Sequence, residues 1–222
     1  MVSGSQCKHL LFLITSASIL LTTASAMFIP QKMDGFAYKY GPQLEKSLLV
    51  EAFLDPVCPD SRDAWSPLYK ILNHYGDRLW LIVHPFPLPY HDNSFLISRV
   101  LHIVHSLKSS ETFRVLDLLL TNQEIFYNRE TRDLSRDEVV DRVVNLVGNE
   151  GYSSFMSGIR SGLNDSETDL LTRVSFKYGC LRGVFGTPTF FVNGFPLPDS
   201  GSALDYNGWR KIIDPLLNSL NK

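Results

Sequence analysis

Apolar positions divide the chain into three zones. In the first, from about Phe36 to Pro89, Ser47-Leu48-Leu49-Val50-Glu51-Ala52-Phe53-Leu54 is a short apolar run that stops at Asp55-Pro56. It predicts a buried strand followed by a turn. From Asp60 to Tyr75, the residues Trp65, Leu68, Ile71 and Leu72 recur at helical spacing, and Gly76-Asp77 ends that helix. Leu79-Trp80-Leu81-Ile82-Val83 reads as a second buried strand, and an early strand near Ala37–Lys39 is expected beside it. Pro85, Pro87 and Pro89 then hold the chain extended.

The second zone, about Asn93 to Gly179, carries helical patterns. Leu96, Ile97, Val100, Leu101, Val104 and Leu107 form one stripe, and Phe113 to Leu120 a second helix. Ser135 and Glu138 have capping-box spacing ahead of Val139, Val140, Val143, Val144 and Val147. Valine is a mediocre helix former, so a strand there is the main rival, but the 3.6-residue spacing favours a helix. A weaker helix is expected over Tyr152 to Ile159, and a stronger one over Ser166 to Tyr178 with Gly179 as its stop. In the third zone Thr189-Phe190-Phe191-Val192 is a strand, Asn193-Gly194 a hairpin signal, and Trp209, Ile212, Ile213, Leu216 and Leu217 the face of a last helix containing Pro215. This order predicts an α/β core interrupted by a helical insertion. The expected boundaries are 27–92 and 182–222 for the two parts of the core and 93–181 for the insertion.

The N-terminus changes the expected compartment. Lys8 and His9 precede an uncharged, mostly apolar run from Leu10 to Leu21, followed by small residues ending Ala24-Ser25-Ala26. This is the order of a secretory signal peptide over residues 1–26, with a signal anchor as the alternative. The expected location is therefore extracellular or the lumen of an endomembrane compartment, with no membrane association after cleavage. The net charge of −2 predicts no attraction to nucleic acid. Cleavage would remove Cys7 and leave Cys58 and Cys180, enough for one bridge at most. Asn164-Asp165-Ser166 is a sequon, so Asn164 is a candidate glycosylation site. Nothing in the sequence specifies self-association.

Cys58 stands where the first strand gives way to a helix, in Asp55-Pro56-Val57-Cys58-Pro59-Asp60-Ser61-Arg62. Free N–H groups and the helix dipole favour a thiolate at such a place. Pro59 takes the first helical position, where its missing N–H costs nothing. A buried, inert cysteine is the plain alternative for this segment taken alone. A second constellation, Gly186-Thr187-Pro188-Thr189-Phe190, puts a proline just before a strand.

Together these segments resemble the DsbA-like proteins of the thioredoxin superfamily. The resemblance also takes in His84-Pro85-Phe86-Pro87-Leu88-Pro89 and Leu118-Leu119-Leu120-Thr121-Asn122-Gln123, and it spans nearly all of the chain after the N-terminal segment. It implies a thioredoxin-like fold with a helical insertion, a cis-proline at Pro188 facing Cys58, and thiol-disulfide exchange. Cys58, Pro59, Asp60 and Ser61 would form the catalytic motif, and Thr187 and Pro188 the platform for an extended substrate segment. Two departures restrict that chemistry. The family pattern is Cys-x-x-Cys, and here Ser61 replaces the second cysteine. Without it the motif holds no disulfide to donate and no thiol to resolve a mixed disulfide. Ser61 could still donate a hydrogen bond to a thiolate. Ala52 stands where many relatives bury an acid, and strand alternation turns Glu51 to the opposite face. Asp55, Asp60 and Asp63 oppose a thiolate at Cys58, whereas Arg62 favours one.

The expected activity is a monothiol exchange of isomerase or glutathione type, acting on cysteine-containing client proteins or glutathione. The alternatives are a binding module that keeps the fold without turnover, and a relative of kappa-type glutathione transferases. No phosphate-binding loop or hydrolase motif appears, and no cofactor is expected. His102 and His105 have a spacing compatible with metal, but no cysteine or close carboxylate joins them, so packing is expected and no metal site. His84 and His91 flank the proline stretch and could bind metal or modulate the thiol, but packing in turns is expected. Cys180 could resolve Cys58 only if the fold brought their Cα atoms within disulfide reach, and a buried structural thiol is expected instead.

Overall fold

The computed structural model describes residues 33–38, 47–198 and 201–220; residues 1–26, expected to be a signal peptide, lie outside them. Its strands are β1 (Phe36–Ala37), β2 (Leu48–Leu54), β3 (Leu79–Pro85), β4 (Thr189–Val192) and β5 (Phe195–Pro196), in the order β1-β3-β2-β4-β5. The strands β2 and β3 run parallel, with Ala52 opposite Val83; the other pairs are antiparallel. Both central strands are apolar along nearly their whole length, as strands covered on two faces must be. The helix α1 (Pro59–Tyr75) links β2 to β3 in a crossover, and α8 (Tyr206–Ser219) closes the chain.

Between β3 and β4 the described chain has helices and no strand: α2 (Ser94–Lys108), α3 (Thr112–Thr121), α4 (Asn128–Thr131), α5 (Arg136–Val147), α6 (Met156–Leu163) and α7 (Ser166–Leu181). This is a thioredoxin-like fold with a helical insertion. The valine-rich segment is helical because Ser135 and Glu138 cap it reciprocally and Val139, Val143, Val144 and Val147 all enter the core. The weak helix expected over Tyr152 to Ile159 is instead broken. A π-turn at Gly148–Tyr152 and a 3-10 turn at Ser153–Phe155 precede α6, with Gly151 at φ +93°.

Alternation along β2 sorts its side chains into two layers. Val50, Ala52 and Leu54 join the main core with Leu68, Ile71 and Leu72 of α1 and with Trp209, Ile213 and Leu217 of α8. Phe53 belongs to a second cluster with Cys58, Phe86, Leu88, Val184 and Phe191. Gly179 does not stop α7, contrary to the expectation from sequence; the helix continues to Leu181 and turns at Gly183, φ +76°. Gly179 is there for close approach. A Cβ on it would lie 2.4 Å from Phe86 Cδ2 and 3.3 Å from Phe53 Cδ1. The Asn193-Gly194 hairpin forms as expected, both residues having positive φ. Asn193 is also stitched to β2 in both directions, its N–H donating to the Leu49 carbonyl at 2.8 Å and its Oδ1 accepting from the Leu49 N–H at 2.9 Å.

Candidate functional site

Cys58 is the N-cap of α1, in extended conformation (φ −82°, ψ 124°). The turn that delivers it is built by Asp55, whose Oδ1 accepts from the Val57 N–H at 2.8 Å and whose carbonyl accepts from the Cys58 N–H at 3.0 Å. Pro59 occupies the first helical position, and the Cys58 carbonyl accepts the Arg62 N–H at 3.2 Å. No side chain caps this helix, so its free N–H groups gather at the sulfur's end. The Cys58 thiol donates to the Thr187 carbonyl at 3.5 Å, and the Thr187–Pro188 bond is cis. Cys58 is 4% exposed and Thr187 3%.

The other motif residues divide by burial. Pro59 and Asp60 are exposed in the first turn of α1. Ser61 is fully buried, and its hydroxyl oxygen accepts from the Asp55 N–H at 3.2 Å. Ser61 thus braces the backbone of the turn through its oxygen. Arg62 ion-pairs with Asp63 at 3.1 Å and with Glu124 of the insertion at 3.0 Å.

Two buried polar residues that sequence did not single out for this role hold the turn. Four donors converge on the Asp55 carboxylate. Val57 N–H and the Ser94 hydroxyl meet Oδ1, while Leu88 N–H at 3.1 Å and His91 Nδ1 at 2.7 Å meet Oδ2. Gln123, in the turn after α3, donates to the carbonyls of both Pro56 and Cys58 at 3.1 Å. In the sequence Gln123 stood out only as the last residue of the Leu118–Gln123 segment that carries the resemblance. Burial first, and then the neighbouring Cys58, Asp55 and Asp60, push the Tyr90 phenol above its ordinary value, which places Tyr90 at the rim of this site.

The face of β2 that carries Glu51 holds a separate buried network. His84 Nδ1 lies 2.8 Å from Asp34, and its Nε2 lies 3.5 Å from Glu51, too long for a good hydrogen bond. Arg182 donates to both Glu51 oxygens, at 2.9 and 3.2 Å. His84 is thus a strand residue in an ion-pair network, where turn packing was expected, and it stacks on Phe53 with ring centres 4.5 Å apart. Ala52 points into the main core, so Glu51 on the other face of β2 does not take its place. His102 packs edge-on against Phe36 and contacts Ser175. Cys180 is exposed, which corrects its expected burial: it sits on the outer face of α7, which extends past it. Asn164 is exposed at the C-cap of α6. Among the described residues no cluster of three or more His, Cys, Asp or Glu side chains could hold a metal, and no helix is long and apolar enough to cross a membrane.

A family model described as Thioredoxin matches residues 45–215, from just before β2 into α8. This chain belongs to that thioredoxin family. Solved structures agree on the thioredoxin-like fold. A candidate protein-disulfide isomerase from Pseudomonas syringae aligns at 21% identity and a TM-score of 0.66, covering 81% of this chain and 98% of that one. The thiol-disulfide exchange protein alpha-DsbA2 from Wolbachia pipientis aligns at 17% and 0.61, covering 82% and 87%. MdbA, a thiol-disulfide oxidoreductase from Actinomyces oris, aligns at 12% and 0.63, covering 81% and 84%. No curated protein matches significantly.

Proposed function

We propose that this thioredoxin-family chain is a secretory-pathway thiol-disulfide exchange protein that works through Cys58 as a monothiol. The observation that carries the proposal is the meeting of Cys58, at the free N-terminus of α1, with the carbonyl of Thr187 beside Pro188. The Cys58 thiolate attacks one sulfur of a disulfide in a client protein or in glutathione. A Cys58 mixed disulfide forms, and the other sulfur leaves as a thiolate. Ser61 has no sulfur to break that bond, so an external thiol, from glutathione or from the client itself, must do so. That sequence of steps isomerises or exchanges disulfides without net oxidation. The backbone at Thr187-Pro188 holds an extended substrate segment, with Pro59 and Asp60 exposed beside it. The same proposal includes removal of residues 1–26, a glycan on Asn164, and an insertion spanning 93–181. Disulfide chemistry named for the structural neighbours supports it.

A second reading, a binding module without turnover, is favoured by one observation, the burial of Cys58. Mass mapping after incubation with glutathione disulfide and a reduced client separates the two. It is best done in a Cys180→Ser background, because Cys180 is exposed. Exchange predicts a mixed disulfide on Cys58 that persists and vanishes in Cys58→Ala. An unmodified Cys58 alongside a folded protein would favour the binding module.

A further inference from the structure

We propose that Gln123, contributed by the helical insertion, is a positioning residue for Cys58. Its amide clamps the two carbonyls that flank Val57 and so fixes the turn that presents the sulfur. The proposal rests on the exchange reading above.

Gln123 is fully buried. One end of its amide faces the carbonyl oxygens of Pro56 and Cys58, both at 3.1 Å. Carbonyls only accept, so that end must be the NH2 group, and both of its protons are used. At the other end the Tyr127 hydroxyl donates to Gln123 Oε1 at 2.6 Å, so both ends of the amide are satisfied in that orientation. A chain from Tyr127 through Gln123 thus ends on the nucleophile's own peptide groups, 65 residues away in sequence at Cys58. The Cys58 carbonyl is also the one that accepts the Arg62 N–H at the start of α1. One amide therefore sets both the turn before the sulfur and the first hydrogen bond of the helix behind it. Its two donors also offset the negative ends of two carbonyl dipoles close to where a thiolate would form. A structural amide would need only to satisfy buried carbonyls. This one satisfies the pair on either side of the loop that carries the reactive atom.

Glutamate tests the idea, because it has the same shape and no donors. In Q123E a carboxylate would face two acceptors, losing both bonds and placing a negative charge behind Cys58. At a pH high enough to ionise that carboxyl, the rate of Cys58 with glutathione disulfide should fall about tenfold. Burial beside two acceptors holds the carboxyl of Q123E above the ordinary glutamate range, and as pH falls through that raised value it gains a proton and can donate one bond. The ratio of variant to wild-type rate should then climb towards unity. Measured in the Cys180→Ser background beside thermal melts, that pH-dependent ratio supports the clamp. A Q123E rate equal to wild type overturns it, as does a loss that is independent of pH and tracks the melting temperature. Should Q123E not fold, Tyr127→Phe releases the amide from its far end and keeps the clamped carbonyls. A slowing of about threefold at an unchanged melting temperature supports the clamp, and an unchanged rate overturns it. A folded wild type that does not react at all overturns the exchange reading and the clamp with it; a reactive wild type with an unaffected Q123E overturns the clamp alone.

Discussion

The Cys58 thiol donates to the Thr187 carbonyl at 3.5 Å, so the start of α1 and the approach to β4 meet at one sulfur across 129 residues of sequence. In the proposed exchange a substrate disulfide enters at this contact, and the partner missing from it is the sulfur that Ser61 lacks. We expect Ser61→Cys to form a disulfide with Cys58 and to oxidise a reduced peptide with turnover, which wild type should not do. The substitution removes an oxygen that accepts the Asp55 N–H, at a cost of about 1 kcal/mol in urea unfolding. If wild type itself turns over as a dithiol oxidant, the monothiol proposal fails and Cys180 becomes the hidden partner.

Asp55 should be among the least replaceable residues near the motif. Asp55→Ala would strand two backbone N–H groups, the Ser94 hydroxyl and the His91 ring in a buried site. A loss of about 3 kcal/mol or more is expected, together with slower Cys58 reactivity. His91→Asn keeps a donor near the Nδ1 position and should retain more stability than His91→Ala. Equal losses in the two His91 variants would show that the bond to Asp55 contributes nothing.

Gly179→Ala should destabilise by about 1–3 kcal/mol, because the new methyl overlaps the Phe86 ring and forces a buried cluster to shift. The same cluster contains Cys58, so the variant should also change the rate of Cys58 alkylation. Wild-type stability in this variant would mean that Phe86 moves aside freely.

Local signals made much of this fold legible in the sequence. Unbroken apolar runs marked β2 and β3, the Ser135–Glu138 box marked α5 in spite of its valines, and Asn193-Gly194 marked the hairpin. Cys58 stood out because it sits between a strand and a helix, whereas Ser61, Thr187 and Pro188 were legible as a motif through the resemblance to DsbA-like proteins. What escaped depends on contacts far apart in the chain. Gly179 looked like a helix stop because sequence cannot show Phe86 lying against its Cα. Gln123 and the convergence of donors on Asp55 belong to the insertion's packing on the core, which no local pattern encodes. Cys180 seemed buried because cysteine usually is, and the continuation of α7 to Leu181 leaves it on the outside.

The network around Glu51 should shape the pH dependence of stability. Burial alone would raise the Glu51 carboxyl, but its His84 and Arg182 partners outweigh burial and bring it down to about 2. Burial disfavours a charged His84, yet the paired carboxylates of Asp34 and Glu51 raise it above its ordinary value. His102 faces Phe36, Ser175 and, at longer range, Asp34 and His105; burial lowers it to about 4. The signs follow from these directions. The Glu51 contribution is complete above its unfolded value of about 4.5 and is lost as pH falls through about 2. That of His102 is complete above about 6.5 and is lost as pH falls towards 4. His84 acts in the opposite sense, contributing fully below about 6.5 and losing its contribution as pH rises through its raised folded value. Stability should therefore peak between the two limbs. Glu51→Gln should cost about 3 kcal/mol near neutral pH, because it leaves Arg182 and His84 without their shared carboxylate. It should also flatten the acid limb below pH 4.5, while His84→Gln should flatten the alkaline one. Urea unfolding from about pH 3 to pH 9 on the three proteins measures this directly. An acid limb in Glu51→Gln as steep as in wild type would show that Glu51 is not the group that titrates there.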